Sequence, residues 1–598
     1  MQIKLSQYVA DFLVDNGIDT TFMITGGGAM HLDDALGHKE GMNCIYNHNE
    51  QGCSVAAEGY TRLTGRLAAV CVTSGPGGTN AITGVLGGWL DSIPMFIISG
   101  QVKRETTTWS TDVPLRQLGD QEYQIVESVK PMTKYAVMVT EPNEIAYHLE
   151  KALYLSKNGR GGPVWIDVPL DVQAAIIDTD ELTHFNESEC ESELPPCVEM
   201  STAADIVEKI AKAKRPLILA GTGIRLGNAH QEFLELVEKL QIPVVTAWNA
   251  HDVLEDASRY FVGRPSTVGT RGGNFAVENA DLVLTLGCRL NIRQISYNYK
   301  DWAKKAYKIV VDIDENELNK PTIDPQMKVH ADVKDLMQKM LQCDYEAENE
   351  EHSSWLQFCR DLNEKYPAVL PEYYNTTSPV NPYVFMKKLF EELQEGDVVV
   401  TGNGSACVVS FQAAVIKKNQ RLFTNSGCAS MGYGLPAALG ACIARKGERV
   451  ICLDGDGSLM MNLQELQTIR YNNCNMKLFV LNNNGYHSIR QTQNNLFKNG
   501  LIGVCDGNGV NFPPFDKLAD TFGFKYFKID SLEGIEEKIN EALSAEGPVL
   551  CEAVLDVEQN FAPKLSSKVM PDGKIVSPPI DDMFPFLERE EYEAAKLQ

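Results

Sequence analysis

The sequence predicts an α/β protein of three doubly wound parallel-sheet domains. Three observations carry that expectation. Short, continuous apolar runs alternate with helical patterns along most of the chain, as in parallel sheets covered on both faces. Most of these runs end in a Gly, Asn or Asp turn, the place where such sheets bind ligands. Two polar, acidic stretches, 178–200 and 343–355, cut the 598 residues into lengths that each suit one domain.

The first segment, 1–180, opens with "MQIKLSQYVADFLVDNGIDT", an amphipathic helix with Leu5, Tyr8, Val9, Phe12 and Leu13 on one face. Its aspartates and lack of a long apolar core argue against a signal peptide. The strands "RLAAVCVTSGPG", "SIPMFIISGQ" and "GPVWIDVP" follow. The second segment, 195–342, carries "RPLILAGTG", "QIPVVTAWN", "ADLVLTLGC" and "YKIVVDID". The third, 356–565, carries "GDVVVTGNG", "ERVICLDGDG", "MKLFVLNNN" and "GPVLCEAVL". A tail, 566–598, has polar ends that alone suit disorder, but its centre "PPIDDMFPFL" should pack over a site or against a second subunit.

The first and third segments echo each other. "EQGCSVAAEGYTRLTGRLAAVCVTSGPG" and "GCASMGYGLPAALGACIARKGERVICLDGDG" both give a small-residue helix, a basic turn, a strand and a glycine loop. Two related domains flanking a different middle one are expected.

Composition narrows the function. The chain is 44% hydrophobic and 22% charged, enough for several cores. A net charge of −26 and a pI near 4.9 leave no broad basic footprint for nucleic acid. No window offers the ~20 apolar residues of a membrane span. The 15 cysteines form no CxxC pair and sit in apolar runs, which suits reduced thiols in the cytoplasm better than a zinc or disulfide framework.

The chemistry concentrates in "LDGDGSLMMNLQELQTIRYNNCNMKLFVLNNNGYHS" (453–488). Gly455 and Gly457 should let the chain turn tightly and approach a ligand, with Asp456 between them at a strand end. Ser458 should cap a helix whose first amides form an anion site. The next strand returns Asn482 and Asn483 to the same sheet edge. A carboxylate, an amide oxygen and a backbone carbonyl near Gly485 are hard oxygen ligands, suited to Mg²⁺ on a diphosphate.

That stretch resembles the thiamine-diphosphate motif, and most of all that of the acetolactate synthase (acetohydroxyacid synthase) large-subunit family. "HNEQGCSVAAEGYTRLTGR", "TSGPGGTNAITGVLGGWLDSIPMFIISGQV", "ASMGYGLPAALGA" and "IRQTQ" are similar to family segments, in the family's order, across nearly the whole chain. The resemblance implies a pyrimidine-binding domain at 1–180, a central FAD- or nucleotide-binding-like domain at 195–342 and a diphosphate-binding domain at 356–565. It implies that Glu50 acts on N1′ of the aminopyrimidine of thiamine diphosphate, which requires a carboxyl able to hold a proton. Gly26 and Gly27 match glycines facing the reacting carbons, and Gln121 a glutamine near the thiazolium. Gly75 to Asn80 match the pyrimidine side, and Met431 the wedge that bends the cofactor. Gly272, Arg289, Asp312 and Asp332 match contact positions for FAD, although the family pattern GxRxDxR appears as "GCRLNIR" with Asn291 for the acid. Related enzymes keep this domain with ADP or with nothing bound. The resemblance also implies a homodimer or homotetramer, with the pyrimidine domain of one chain facing the diphosphate domain of another.

Several positions depart from the family. Thr492 stands for its tryptophan, His487 or Ser488 for its methionine (Ser488 under gap-free matching), Asn49 for its histidine and Thr25 for its proline. These make the acceptor side more polar. The expected activity is therefore decarboxylation of a 2-keto acid, pyruvate above all, with transfer of the two-carbon unit to a polar carbonyl such as a keto-sugar nucleotide. The alternatives are a plain acetolactate synthase joining two pyruvates, a simple decarboxylase using His31, His48 or His487 as acid or base, and a catalytically silent regulatory paralogue. The presence of Glu50, Asp456 and Asn483 argues against the last.

Overall fold

A computed structural model describes residues 1–347, 349–497, 499–569 and 575–597. A short strand, β1 (Gln2–Lys4), precedes the first sheet. That sheet holds β2 (Thr20–Met23), β3 (Asn43–Tyr46), β4 (Ala69–Val72), β5 (Met95–Gln101), β6 (Tyr135–Met138) and β7 (Pro163–Pro169). All six run parallel, in the order β3-β2-β4-β5-β7-β6. β8 (Ile176–Asp178) then returns antiparallel to β1. The central strands earn their places by composition: every residue of β4, β5 and β7 is buried, as strands covered on both faces must be.

The middle sheet is also parallel. It comprises β9 (Pro216–Ala220), β10 (Val244–Thr246), β11 (Leu282–Leu286), β12 (Tyr307–Asp312) and β13 (Met327–His330), ordered β10-β9-β11-β12-β13. The third sheet holds β14 (Val398–Thr401), β15 (Arg421–Phe423), β16 (Val450–Gly455), β17 (Met476–Asn482), β18 (Lys525–Ile529) and β19 (Val549–Val554). Its parallel order is β15-β14-β16-β17-β19-β18. Numbered within each sheet, the first and third orders are the same, 2-1-3-4-6-5. The echo between the two segments is thus an echo of topology.

The echoing helices meet. Glu50–Thr64 and Gly434–Arg445 cross within the chain, each after the second strand of its sheet. A Cβ at Gly59 would lie 2.5 Å from the carbonyl oxygen of Ala437, and one at Gly440 would run into the carbonyl oxygen of Ala56. Only glycine allows backbones this close. Around the crossing, fully buried Glu58 pairs with Arg62 and accepts the Tyr433 hydroxyl at 2.7 Å, while Arg62 also reaches Asp91 at 2.8 Å. Each buried charge has its partner, which is the condition for burying it at all.

The tail packs on the middle domain. Arg271 Nη1 donates to the Met583 carbonyl at 3.1 Å, and Asn274 and Asn279 donate to the carbonyls of Ile580 and Ala595. Phe275 packs between Tyr366 and Tyr592, with ring centroids 5.7 and 6.0 Å away. Residues 570–574 and 598 of the tail lie outside the described residues. All 15 cysteines are free thiols, and only Cys197 is exposed. No helix among the described residues is long and apolar enough to cross a membrane.

Candidate cofactor and active site

A cavity of about 390 Å³ opens at the carboxyl ends of β14, β16 and β17. Asp456, Asn483, Gly485, Met431 and Ser405 contribute to its wall. Asp456 is 1% exposed and sits just past β16. Its Oδ1 accepts the amide of Gly457 at 2.7 Å and its Oδ2 that of Gly485 at 2.9 Å. Burial pushes its pKa up to about 6, against the pull of those two amides and of the nearby Arg490 charge. Asn483 Nδ2 donates to Ser405 Oγ at 3.1 Å, but Asn483 Oδ1 is buried with no partner. An unpartnered amide oxygen and a desolvated carboxylate in one cavity wall form an all-oxygen donor set that suits Mg²⁺.

The turn itself differs from expectation. Ser458 does not cap a helix. Its hydroxyl accepts the Gly432 amide at 3.0 Å, and helical structure starts at Asp456 in a four-residue turn, Asp456–Leu459. The Gly457 amide is taken by Asp456, so it is not a free anion donor. Gly455 has ordinary extended backbone and open space where a side chain would stand, and Gly457 packs under the Tyr486 ring. The Ser458 bond instead fixes the loop that carries Met431 into the cavity wall, helped by Asn462 Nδ2 on the Gly432 carbonyl at 2.7 Å.

A second cluster forms around the turn after β4. Glu50 opens helix Glu50–Thr64, and Asn49 caps it by accepting the Gln51 amide at 2.8 Å. Asn80 Nδ2 donates to Glu50 Oε2 at 3.0 Å. Gly26 packs against Thr73 and donates its amide to Asp33 Oδ2 at 2.9 Å, while Gly28 donates to Thr73 Oγ1 at 3.0 Å. Gly27, between them, faces open space. The carbonyl of Gln121 lies against Gly75. The fold thus brings Glu50, Gly26, Gly27, Gly75, Asn80 and Gln121 together. None of them lines the cavity at Asp456. Within one chain the two clusters do not share a cavity wall.

The changed positions separate in space. Ser488 and His487 line the cavity; Thr492 does not, and its hydroxyl is turned back onto the Ser488 carbonyl at 3.0 Å. Burial pushes the His487 pKa down to about 4, and its Nε2 sits 3.0 Å from the Gln559 carbonyl, so the ring is neutral. His31 lies beside Lys4 Nζ and His48 beside Thr468 Oγ1, both at 2.9 Å and neither in the cavity wall. Trp248 and Arg293 of the middle domain complete the wall, a contribution that one isolated aromatic and one isolated arginine in the sequence could not announce.

A second cavity, about 320 Å³, lies beyond the carboxyl ends of the middle sheet and is closed by residues of the first domain, among them Arg160. Arg289, Asp312 and Asp332 line it. Burial pushes the Asp312 pKa up to about 6. Asp332 also caps helix Val333–Gln342, accepting the Lys334 amide at 2.7 Å. Gly272 is not brought here: it lies in helix Arg271–Asn279, packed on Asn363. Asn291 caps Ile292–Ile295 by accepting the Gln294 amide at 3.0 Å.

Family models agree with this architecture. Residues 3–124 match the thiamine pyrophosphate enzyme N-terminal TPP binding domain, 203–340 the central domain, and 402–553 the C-terminal TPP binding domain. The chain is 29% identical over 561 residues to the acetolactate synthase isozyme 1 large subunit of Escherichia coli, covering 93% of this chain and 95% of that protein. It is 30% identical over 579 residues to the acetolactate synthase large subunit of Lactococcus lactis, covering 95% and 96%. The corresponding protein of Porphyra purpurea is 30% identical over 567 residues, covering 93% and 92%. The chain therefore belongs to the thiamine-diphosphate-dependent enzymes of the acetolactate synthase family.

Proposed function

We propose that the protein is a pyruvate-decarboxylating carboligase that condenses two pyruvates to acetolactate. The observation that carries this reading is the wall of the Asp456 cavity, with its orphaned Asn483 oxygen, in a chain whose relatives are acetolactate synthases over nearly their full length. Those relatives favour two pyruvates over the keto-sugar acceptor suggested by the polar substitutions. One observation keeps the polar acceptor as a second reading: Ser488 and neutral His487 line the cavity.

Thiamine diphosphate, when bound, supplies the stabilised carbanion that lets a 2-keto acid lose CO₂. The chain's residues bind and orient. Asp456, Asn483 Oδ1 and the Gly485 carbonyl would hold Mg²⁺ on the diphosphate. Gly455, Gly457 and Ser458 shape that end of the site, and Met431 supports the bend of the cofactor. Glu50 holds a proton at N1′ of the pyrimidine, with Asn80 orienting its carboxylate. Gly75 borders the pyrimidine. Gly26, Gly27 and Gln121 would border the reacting carbons, with Asp33 and Thr73 bracing the glycine loop.

Because the two clusters do not share a cavity wall in one chain, the working site is composed of Glu50 from one copy and Asp456 from another, in a homodimer or homotetramer. The middle cavity takes FAD: Asp312 at a strand end suits ribose hydroxyls, and glycine turns at Gly221 and Gly287 suit a diphosphate. A carboligation needs no net electron transfer, so the flavin serves structure. The enzyme works in the cytoplasm, where its thiols stay reduced.

The test is product analysis. Purified protein with pyruvate, thiamine diphosphate and Mg²⁺ should release CO₂ and form acetolactate. Little product until a keto-sugar nucleotide is added would replace this reading with the second. A colourless, fully active preparation would remove FAD.

A further inference from the structure

The loop at Asn483–Gly485 is gripped from behind by a residue that neither the motif nor the cavity singles out. Arg490 is 9% exposed, on helix His487–Leu496. Its Nη1 donates to the Asn483 carbonyl at 2.9 Å and its Nη2 to the Asn484 carbonyl at 2.6 Å. It makes no salt bridge among the described residues, and its guanidinium donates instead to two consecutive backbone carbonyls. A guanidinium fork offers two donors in one plane, a fit that a point charge lacks.

The other side of the loop is also held. Gly485 has φ +136°, and a Cβ there would run into the Val504 carbonyl and lie 3.0 Å from Arg490 Nη2. Tyr486 donates its amide to that same Val504 carbonyl at 2.9 Å. Asn484 also has positive φ, +54°. The turn, with positive φ at Asn484 and Gly485, is therefore clamped between Val504 and Arg490. Its two outputs face the cavity wall: Gly485 N–H bonds Asp456 Oδ2, and Asn483 carries the orphaned Oδ1.

We propose that Arg490 is the positioning residue of the metal site, holding the Asn483 and Asn484 carbonyls so that Asn483 Oδ1 and the Gly485 carbonyl stand in register with the Asp456 carboxylate. The proposal rests on the reading of Asp456 and Asn483 as Mg²⁺ ligands. Arg490 stays behind the loop and does not line the cavity; beside the pull of its charge on Asp456, it acts through the loop it holds. The two bonds also turn the charge of Arg490 toward carbonyl dipoles. A neutral side chain of similar length would fill the space but release the turn.

The experiment is Mn²⁺ binding by electron paramagnetic resonance to full-length protein with thiamine diphosphate, together with melting of the metal-free and cofactor-free protein. The variants are Arg490→Met, Arg490→Lys and Asp456→Asn. Loss of a residue that orients the groups holding a metal typically costs ~10–100-fold in metal affinity. Arg490→Met is expected to lose affinity in that range. Arg490→Lys, which keeps donors without the fork, should fall between it and the wild type. The metal-free melting temperature of Arg490→Lys should stay near the wild-type value, so its loss of affinity reads positioning even if Arg490→Met folds poorly. Wild-type affinity in Arg490→Met and Arg490→Lys, with affinity lost in Asp456→Asn, would overturn the proposal while leaving the metal site standing. Wild-type affinity in Asp456→Asn would instead overturn the metal-site reading, and the proposal with it.

Discussion

Asp456 accepts the backbone N–H of Gly485 at 2.9 Å, and this single bond ties the turn after β16 to the turn after β17. Neighbouring parallel strands deliver their ends to one edge of a sheet, so residues far apart in sequence meet there.

Replacing that carboxylate should remove the site. Asp456→Ala is expected to weaken Mg²⁺-dependent thiamine diphosphate binding by at least about tenfold, read by cofactor titration. Unchanged affinity would unseat the clamp.

The same burial sets a pH dependence. Burial raises the folded-state pKa of Asp456 to about 6, so without metal this group's contribution to stability is present at low pH and lost as pH rises through about 6. Bound Mg²⁺ needs the ionised form and reverses the sense. The gain in melting temperature on adding Mg²⁺ and thiamine diphosphate should therefore grow as pH rises through about 6, and less so in Asp456→Asn. A gain independent of pH across that range would contradict it.

Glu50→Gln keeps the shape and the Asn80 contact but cannot exchange a proton. It should bind cofactor normally and lose turnover by roughly 10²–10⁴-fold, the usual scale of acid–base catalysis. Near-normal kcat would remove Glu50 from the chemistry.

The helix crossing offers a stability test away from the site. Gly440→Ala places a methyl against the Ala56 carbonyl, and backbone cannot yield as a flexible side chain can. A loss of about 1–3 kcal/mol is expected from overpacking of this kind, seen as a lower melting temperature. Wild-type stability would mean that the two helices slide apart freely.

The strands legible in the sequence were those buried on both faces, such as β5 and β16, which open on four consecutive apolar residues. The ones without such a signal were mostly edges. β3, β6, β13, β15 and β18 each end a sheet, and residues such as Asn43, Lys525 and Lys528 face solvent there. β2 is interior but short, and its two threonines mask it. At the site, Asp456 and Asn483 were legible because strand, turn and spacing all agreed. Ser458 was misread as a cap because its hydroxyl is claimed by Gly432, a contact between segments that no local pattern carries. Gly272 sits in a helix contact with Asn363 for the same reason. Arg490 gave no signal because its partners are backbone carbonyls, which any sequence supplies.

The most direct test of a site shared between two copies is co-expression of Glu50→Gln and Asp456→Ala chains. Each alone should be nearly inactive. If Glu50 of one copy serves Asp456 of another, random pairing returns about a quarter of the wild-type activity, since half of the dimers carry one intact site of two. Activity no higher than that of the two variants alone would contradict the shared site and return both residues to one chain.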